Sequence, residues 1–581
     1  MSSIQTIISN ILVIGSGGAG LRAAIEAKLQ GLDVSIIGKR FKKDVHTSLA
    51  AGGINASLGN VDSGDSWTHH FVDTYREGYQ IANPAIVEIM VKEAPEAVLE
   101  IDSWGANFKK LTNGKLDQRY FGAHSYRRTC YCGDYTGKSI LNALLNKART
   151  LKLNINDHEY VTSLLVKENV CFGAISFNIN NGTKTIYYAD SVILATGGHT
   201  RIWSRSSSRK NENNGDGLLL ALKAGCQLSD MEMVQFHPTG MLFPDEYAGL
   251  LVTEAVRGEG GRLFNVNGDR FMEKYDSQRM ELSTRDKIAV ANYIEIKEGR
   301  GTSRGGVLLD ISHRNKEFIL EKLPNMFRQF LDIQMLDISK SPMEVAPTAH
   351  YSMGGIVVET NTHMTNVNGL YACGEVSSGL HGANRLGGNS LTEILVFGKK
   401  TGLAASEYSK NLKFQFRDRE MVEIELKKID KFVKKGNFSG RKLEHELQLI
   451  MWDCCGVLRN KTSLMQGLNE IKNIKSKLSE LDVNINSSNY DDLVTAINLK
   501  SSVITAEATI LSALSREESR GSHQRSDFPK LASSAPVNYY VEEQNGELII
   551  SSKVVKSLNK EINKFYSETK EVNNFKNKLL E

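Results

Sequence analysis

Near the N-terminus the apolar positions form a short unbroken run, Ile11-Leu12-Val13-Ile14, followed by Gly15-Ser16-Gly17-Gly18-Ala19-Gly20 and a stretch of helical character from Leu21 to about Gln30. A brief apolar run that ends in glycine predicts a buried strand. A second run, Val34-Ser35-Ile36-Ile37, closes the pattern, so residues 11 to 37 predict a βαβ unit. Strand-like runs keep alternating with helical stretches as far as about Asp230, which predicts an α/β sheet. Ser191-Val192-Ile193-Leu194 is one of these, running into Ala195-Thr196-Gly197-Gly198. Between about Gln235 and His350 the pattern is mixed and rich in glycine and charge, and reads as a second domain inserted into the first. Gly369-Leu370-Tyr371-Ala372-Cys373-Gly374-Glu375 then resumes the strand-then-glycine style. From about Arg417 to Ser515 apolar residues recur at three- and four-residue spacing, as at Ile424, Leu426, Ile429 and Phe432, which predicts a helical domain. The polar, lysine-rich end carries a strand-like Glu547-Leu548-Ile549-Ile550 and is expected to wrap the surface. The expected division is a nucleotide-binding domain over 1–234 and 351–415, an insert over 235–350, a helical domain over 416–520 and a C-terminal segment over 521–581.

Composition narrows the function. A chain of 581 residues exceeds a typical domain several-fold and can bury a substantial core. A net charge of +4 is small and evenly spread, which argues against nucleic acid or a membrane surface as partner. No apolar run reaches the roughly 18 residues of a spanning helix. The first strand lacks the basic region and cleavage site of a signal peptide, so a cytoplasmic chain is expected, held to a membrane, if at all, by partners. Cysteines at 130, 132, 171, 226, 373, 454 and 455 show neither C-x-x-C pairing nor a cysteine–histidine cluster, so no metal site is expected and these read as reduced, packed thiols. If the protein passes electrons onward, an iron–sulfur relay must lie on another polypeptide.

Glycines at 15, 17 and 20 between a strand and a helix suit a tight turn, close approach to a pyrophosphate, and close packing of helix on strand. The helix N-terminus then faces the anion. Gly38-Lys39 stands where an acidic residue usually meets the ribose, so the fingerprint alone leaves FAD and NAD open. His46-Thr47 followed by Gly52-Gly53 places a histidine beside a glycine pair just downstream, where a flavin can be tethered.

Further ordered motifs are Phe236-His237-Pro238-Thr239-Gly240, Thr253-Glu254 running into Arg257-Gly258-Glu259-Gly260-Gly261, Thr284-Arg285-Asp286, Pro347-Thr348-Ala349-His350-Tyr351, His381 to Leu391, and Glu518-Ser519-Arg520-Gly521. Together they resemble the flavoprotein subunits of succinate dehydrogenase and fumarate reductase, a family that includes L-aspartate oxidase, over almost all of residues 10 to 530. The resemblance implies an α/β fold: a Rossmann-type FAD-binding domain with an inserted α+β capping domain and a C-terminal helical domain. It implies flavin contacts at Gly15, Gly17, Gly20, Lys39, Gly52, Gly53, Asp216, Glu375, Ser390 and Leu391. It also implies a covalent bond from His46 to FAD, a histidine that L-aspartate oxidase lacks. Relatives often carry glutamine or glutamate where Ala51 stands, so a clue to reaction direction is missing.

A four-carbon dianion needs positive charge and hydrogen-bond donors at both ends, and the arginine fork matches a carboxylate. By the family's pattern His350 and Arg385 hold one carboxylate, and His237 and Thr253 the other. The same pattern gives Arg285 the proton-transfer role, with Glu254 and Arg257 as relay. The resemblance thus implies succinate–fumarate interconversion, expected to run as succinate oxidation, with electrons passing to an iron–sulfur subunit, then on to quinone. Membrane-anchor subunits would then hold the chain peripherally at the cytoplasmic face. L-aspartate oxidase is the alternative.

Overall fold

A computed structural model describes residues 4–485 and 490–569. Its central sheet runs parallel through Asn154–Asp157, Val34–Gly38, Ile4–Ile14 and Lys184–Leu194, then antiparallel through Val170–Asn178 and Glu159–Lys167. Leu370–Ala372 also pairs with the end of Lys184–Leu194, so a strand from beyond the insert completes the sheet. The first strand starts seven residues earlier than the apolar run. Ile4 and Ile8 in that extension are more than half exposed, and pairing with Lys184 to Ala189, rather than burial, makes it a strand.

The turn after this strand requires glycine at two of its three positions. Gly15 has φ +121°, and a Cβ there would lie 2.1 Å from the Ala195 carbonyl oxygen. A Cβ on Gly20 would lie 1.9 Å from the Gly15 oxygen. Gly17 is different: the nearest protein atom to a Cβ is Thr47 Oγ1 at 3.5 Å. The space at Gly17 is therefore left open by the protein, as close approach of a ligand requires.

The inserted residues build an antiparallel sheet in the order Val234–Met241, Met343–Ser352, Val307–Asp310, Arg262–Phe264. His237 pairs with Thr348, and the register shifts between His237 and Gly240, a bulge that re-aims the side chains around it. Beyond Leu412 follow the helices Arg419–Asp430, Gly440–Cys454, Lys461–Lys477 and Asp491–Ser515. The face of the first of these differs from the one read in the sequence. Val422, Glu425 and Ile429 are buried, whereas Ile424 is half exposed and Phe432 lies past the helix end. Glu425 takes an inward position because its carboxylate accepts a hydrogen bond from Ser163 Oγ at 2.6 Å. An apolar-only pattern cannot see such a residue.

The segment expected to wrap the surface forms a hairpin, Val537–Gln544 with Glu547–Val554, docked on Leu228–Ser229. Buried Arg516 fastens its start, donating to Asp230, Glu232 and the Val537 carbonyl. All seven cysteines are free and buried. Among the described residues no helix is long and apolar enough to cross a membrane.

Candidate active site

One cavity of about 470 Å³ runs from the Gly15–Gly18 turn, past His46 and the Gly52-Gly53 pair, to His237, Arg285, His350 and Arg385. Of the expected site residues, only Gly20 and Arg257 stay off its wall. Gly20 sits under the turn and Arg257 behind Glu254.

At the nucleotide end the helix Gly18–Leu29 has no side-chain cap at Gly17. The helix Asn389–Asn411, which carries Ser390 and Leu391, likewise lacks one at Gly388. Gly18 N–H donates to Thr47 Oγ1 at 3.0 Å and Asn389 N–H to the Leu386 carbonyl at 3.2 Å, and two helix N-termini at one cavity make a site for a diphosphate and its neighbours. Gly53 has φ +144°, and a Cβ there would fall 2.7 Å from the Cys130 oxygen. A Cβ on Gly52 would collide with the Phe121 ring at 2.5 Å. Lys39 forms an ion pair with Asp216 and donates to Asn498 Oδ1 at 3.2 Å, so these two expected cofactor contacts hold each other at the wall. Glu375, raised in pKa by burial against the opposing pull of His46, follows Gly374 at the end of the Leu370–Ala372 strand and accepts from the Ser352 N–H. This set fits an FAD-type dinucleotide: glycine at the turn, two helix N-termini, and a carboxylate for hydroxyl donors.

His46 opens the short 3-10 turn His46–Leu49. Its Nδ1 lies 3.3 Å from Glu212 Oε2. Burial alone would lower its pKa, but the hydrogen bond and charge of Glu212, with Glu375, raise it above the ordinary value.

At the other end, Arg285 begins the helix Arg285–Glu295. Its Nε donates to Glu254 Oε2 at 2.7 Å and its Nη1 to Gln235 Oε1 at 3.0 Å. Arg385 Nη2 donates to the same Gln235 oxygen at 3.0 Å, and its guanidinium lies 4.5 Å from the Tyr351 ring centroid. Its Nε has no protein partner. Burial, then the nearby charge of Arg285, push the Arg385 pKa down to about 9. Burial would raise the pKa of Glu254, but Arg285 and Arg257 hold it far below the carboxylate range. Arg257 Nη2 is 4.0 Å from Glu254 Oε2, and Gly122 N–H donates to the other carboxylate oxygen at 2.9 Å. The His237 and His350 rings meet edge to face, with centroids 5.3 Å apart and planes inclined at 68°. Burial lowers both pKa values well below normal, Arg285 adding to the effect at His237 and His237 itself, with Arg385, at His350. Both shifts favour the neutral ring. Thr253 is buried on the same wall.

The sequence reading missed Gln235, Ser207 and Glu212. Gln235 sits two residues before His237 on one strand, and that spacing on a strand is the signal that places both on one face. Ser207 and Glu212 reach the site from a long irregular stretch, and nothing in their local pattern marks them.

A dinucleotide cradle that opens onto a pocket of paired arginines and neutral histidines defines an FAD-dependent oxidoreductase. Residues 10–391 match the model of the FAD binding domain, and residues 444–572 that of the fumarate reductase flavoprotein C-terminal region. The chain is 45% identical to a subunit of the fumarate reductase (CoM/CoB) of Methanothermobacter marburgensis, covering 90% of this chain and 94% of the other. It is 36% identical to the succinate dehydrogenase flavoprotein subunit of Rickettsia bellii, covering 90% of each. Among solved structures it resembles Sdh1 of Mycobacterium smegmatis in complex with UQ1, with a TM-score of 0.86, 36% identity and 95% of each chain covered. A quinol-fumarate reductase solved with menaquinol aligns with a TM-score of 0.90 at 31% identity, over 95% of this chain and 99% of that one. The chain belongs to the succinate dehydrogenase and fumarate reductase flavoprotein family.

Proposed function

We propose that this chain interconverts succinate and fumarate, and one observation carries the reading: Arg285 and Arg385, from separate elements, converge on Gln235 Oε1 in a cavity also lined by the paired rings of His237 and His350. Two buried positive charges and two N–H donors suit a short dianion with a carboxylate at each end. Arg385 with His350, and His237 with Thr253, grip its two carboxylates. Bound FAD supplies the two-electron acceptor or donor. Arg285 passes the proton to or from the adjacent carbon. Glu254, bonded to Arg285 and next to Arg257, replaces that proton.

His46 is the residue for a covalent flavin link. Glu212 engages Nδ1, which leaves Nε2 as the nitrogen free to bond. Electrons leave through an iron–sulfur partner, since the cysteines here are dispersed and buried, and that partner, with membrane-anchor subunits, places the chain at the cytoplasmic face of a membrane. The relatives described above are fumarate reductases and succinate dehydrogenases, which supports this reading over L-aspartate oxidase. The higher identity to a fumarate reductase favours fumarate reduction as the working direction, in place of the succinate oxidation expected from the sequence.

The test is an assay of purified holoprotein with succinate, fumarate and L-aspartate against artificial electron carriers. Turnover of the first two, with fumarate reduction the faster, is the expected result. Oxygen consumption with L-aspartate alone would overturn the reading.

A further inference from the structure

A neutral imidazole carries one proton, and the nitrogen without it presents a lone pair that repels a carboxylate oxygen. His350 therefore serves the pocket only in the tautomer that keeps its proton on the nitrogen turned to the substrate. Its Nδ1 lies 2.9 Å from Ser207 Oγ. Ser207 is itself 5% exposed and lines the cavity. Its place is fixed independently of its side chain, because Ser207 N–H donates to the Ala349 carbonyl at 2.9 Å and Ala349 N–H to that of Arg205 at 3.0 Å. Serine and histidine are thus held on neighbouring backbone segments, and no rotation of one domain on another is needed to bring them together.

Resting on the succinate–fumarate reading, we propose that Ser207 is a positioning residue that locks His350 as an Nε2–H donor to the dicarboxylate. A hydroxyl can donate or accept. If it accepted from Nδ1–H, Nε2 would present a bare lone pair to the bound carboxylate. Donation from Ser207 Oγ to Nδ1 satisfies both ring nitrogens at once. His237 has no such lock. Thr239 offers its Nδ1 a backbone N–H at 3.2 Å, a carbonyl at 3.1 Å and a hydroxyl at 3.3 Å whose own proton goes to the Val252 carbonyl, so either tautomer finds a partner there. With a dicarboxylate at Nε2, donation by Ser207 is the one arrangement that serves both nitrogens of His350, whereas His237 has Nδ1 partners for either tautomer.

The experiment compares wild-type holoprotein with Ser207→Ala and Ser207→Thr by steady-state kinetics, and by nitrogen NMR of ¹⁵N-histidine-labelled protein with and without malonate, a dicarboxylate lacking a reactive CH–CH pair. His350→Gln protein assigns the signal. Ser207→Ala should raise KM for fumarate and succinate about three- to tenfold, the worth of one hydrogen bond, with a smaller change in kcat. Ser207→Thr should restore it. In wild type with malonate, His350 should carry its proton on Nε2, and Ser207→Ala should show a mixture of tautomers. An unchanged KM in Ser207→Ala, or a wild-type His350 protonated on Nδ1, overturns the proposal. Should the wild type neither bind nor turn over dicarboxylates, the functional reading fails separately, and the tautomer of ligand-free His350 in the two proteins still decides whether Ser207 sets it.

Discussion

Arg285 and Arg385 share one acceptor, Gln235 Oε1, each at 3.0 Å. Two guanidinium groups this close repel, and the shared amide oxygen, together with the Glu254 carboxylate on Arg285, holds both in one pocket. The amide cannot flip without loss, because its Nε2 donates to Asn384 Oδ1 at 2.7 Å and to the Arg385 carbonyl at 2.9 Å. Asn384 is held in turn by the carboxylates of Glu77 and Asp286.

Replacing Gln235 with leucine removes two charge-assisted bonds and leaves the arginines facing each other. Each such bond contributes roughly 1.5 to 3 kcal/mol, so kcat/KM for fumarate should fall by about a hundredfold or more. Bound flavin should stay near wild-type content, since its cradle lies elsewhere. Kinetics close to wild type would mean that the pocket walls, not Gln235, set the two arginines.

Arg285→Ala should abolish turnover in both directions while FAD remains bound. Arg385→Ala should instead weaken dicarboxylate binding together with rate. The two outcomes separate a proton donor from a clamp. Substantial turnover in Arg285→Ala protein would remove that residue from the proton path and leave Glu254 without its partner at 2.7 Å.

The parts of this site legible in the sequence are those forced by backbone geometry or carried in short motifs. Gly15 and Gly20 could be read because no other residue fits the turn, and His237 because the Phe236-His237-Pro238-Thr239-Gly240 motif carries the family resemblance. Gln235 and Ser207 could not. Their roles depend on which segments the fold brings side by side: Ser206 beside Ala349, and the Val234–Met241 strand beside Arg385. The helix Arg419–Asp430 shows the same limit, since its inward Glu425 accepts a hydrogen bond from Ser163, 262 positions away.

Flavin attachment through His46 should depend on pH. Glu212 raises the His46 pKa, so imidazolium persists above pH 6.5 and its Nε2 has no lone pair to offer. The rate of covalent attachment should therefore rise with pH through a midpoint above 6.5. The sign for stability is opposite: the His46–Glu212 pair stabilises the fold below the unfolded histidine pKa, and that contribution is lost as pH rises through the folded value. Glu212→Gln removes the main cause of the upward shift, so its attachment profile should move to lower pH. Acid precipitation followed by in-gel flavin fluorescence, with any required maturation factor supplied, measures the rate. A profile identical in both proteins would break the link between Glu212 and the histidine.

The last expectation concerns the rim of the cavity. Asp134 lies just before the helix Thr136–Thr150, yet its Oδ2 accepts the backbone N–H groups of Asn325 at 3.0 Å and Met326 at 3.1 Å. Those N–H groups open the helix Pro324–Gln334 in the inserted region, which has no side-chain cap of its own. A carboxylate from one part of the chain thus caps a helix of another, and Asp134 and Met326 both line the cavity. Loss of such a cap costs about 0.5 to 2 kcal/mol. Asp134→Ala should accordingly speed amide hydrogen exchange across residues 324–334 and raise KM for the dicarboxylate, because a loosened rim admits water that weakens the contacts inside. Exchange in the helix Gly440–Cys454 should not change. If residues 324–334 exchange at the wild-type rate, the cap is not what holds this rim in place.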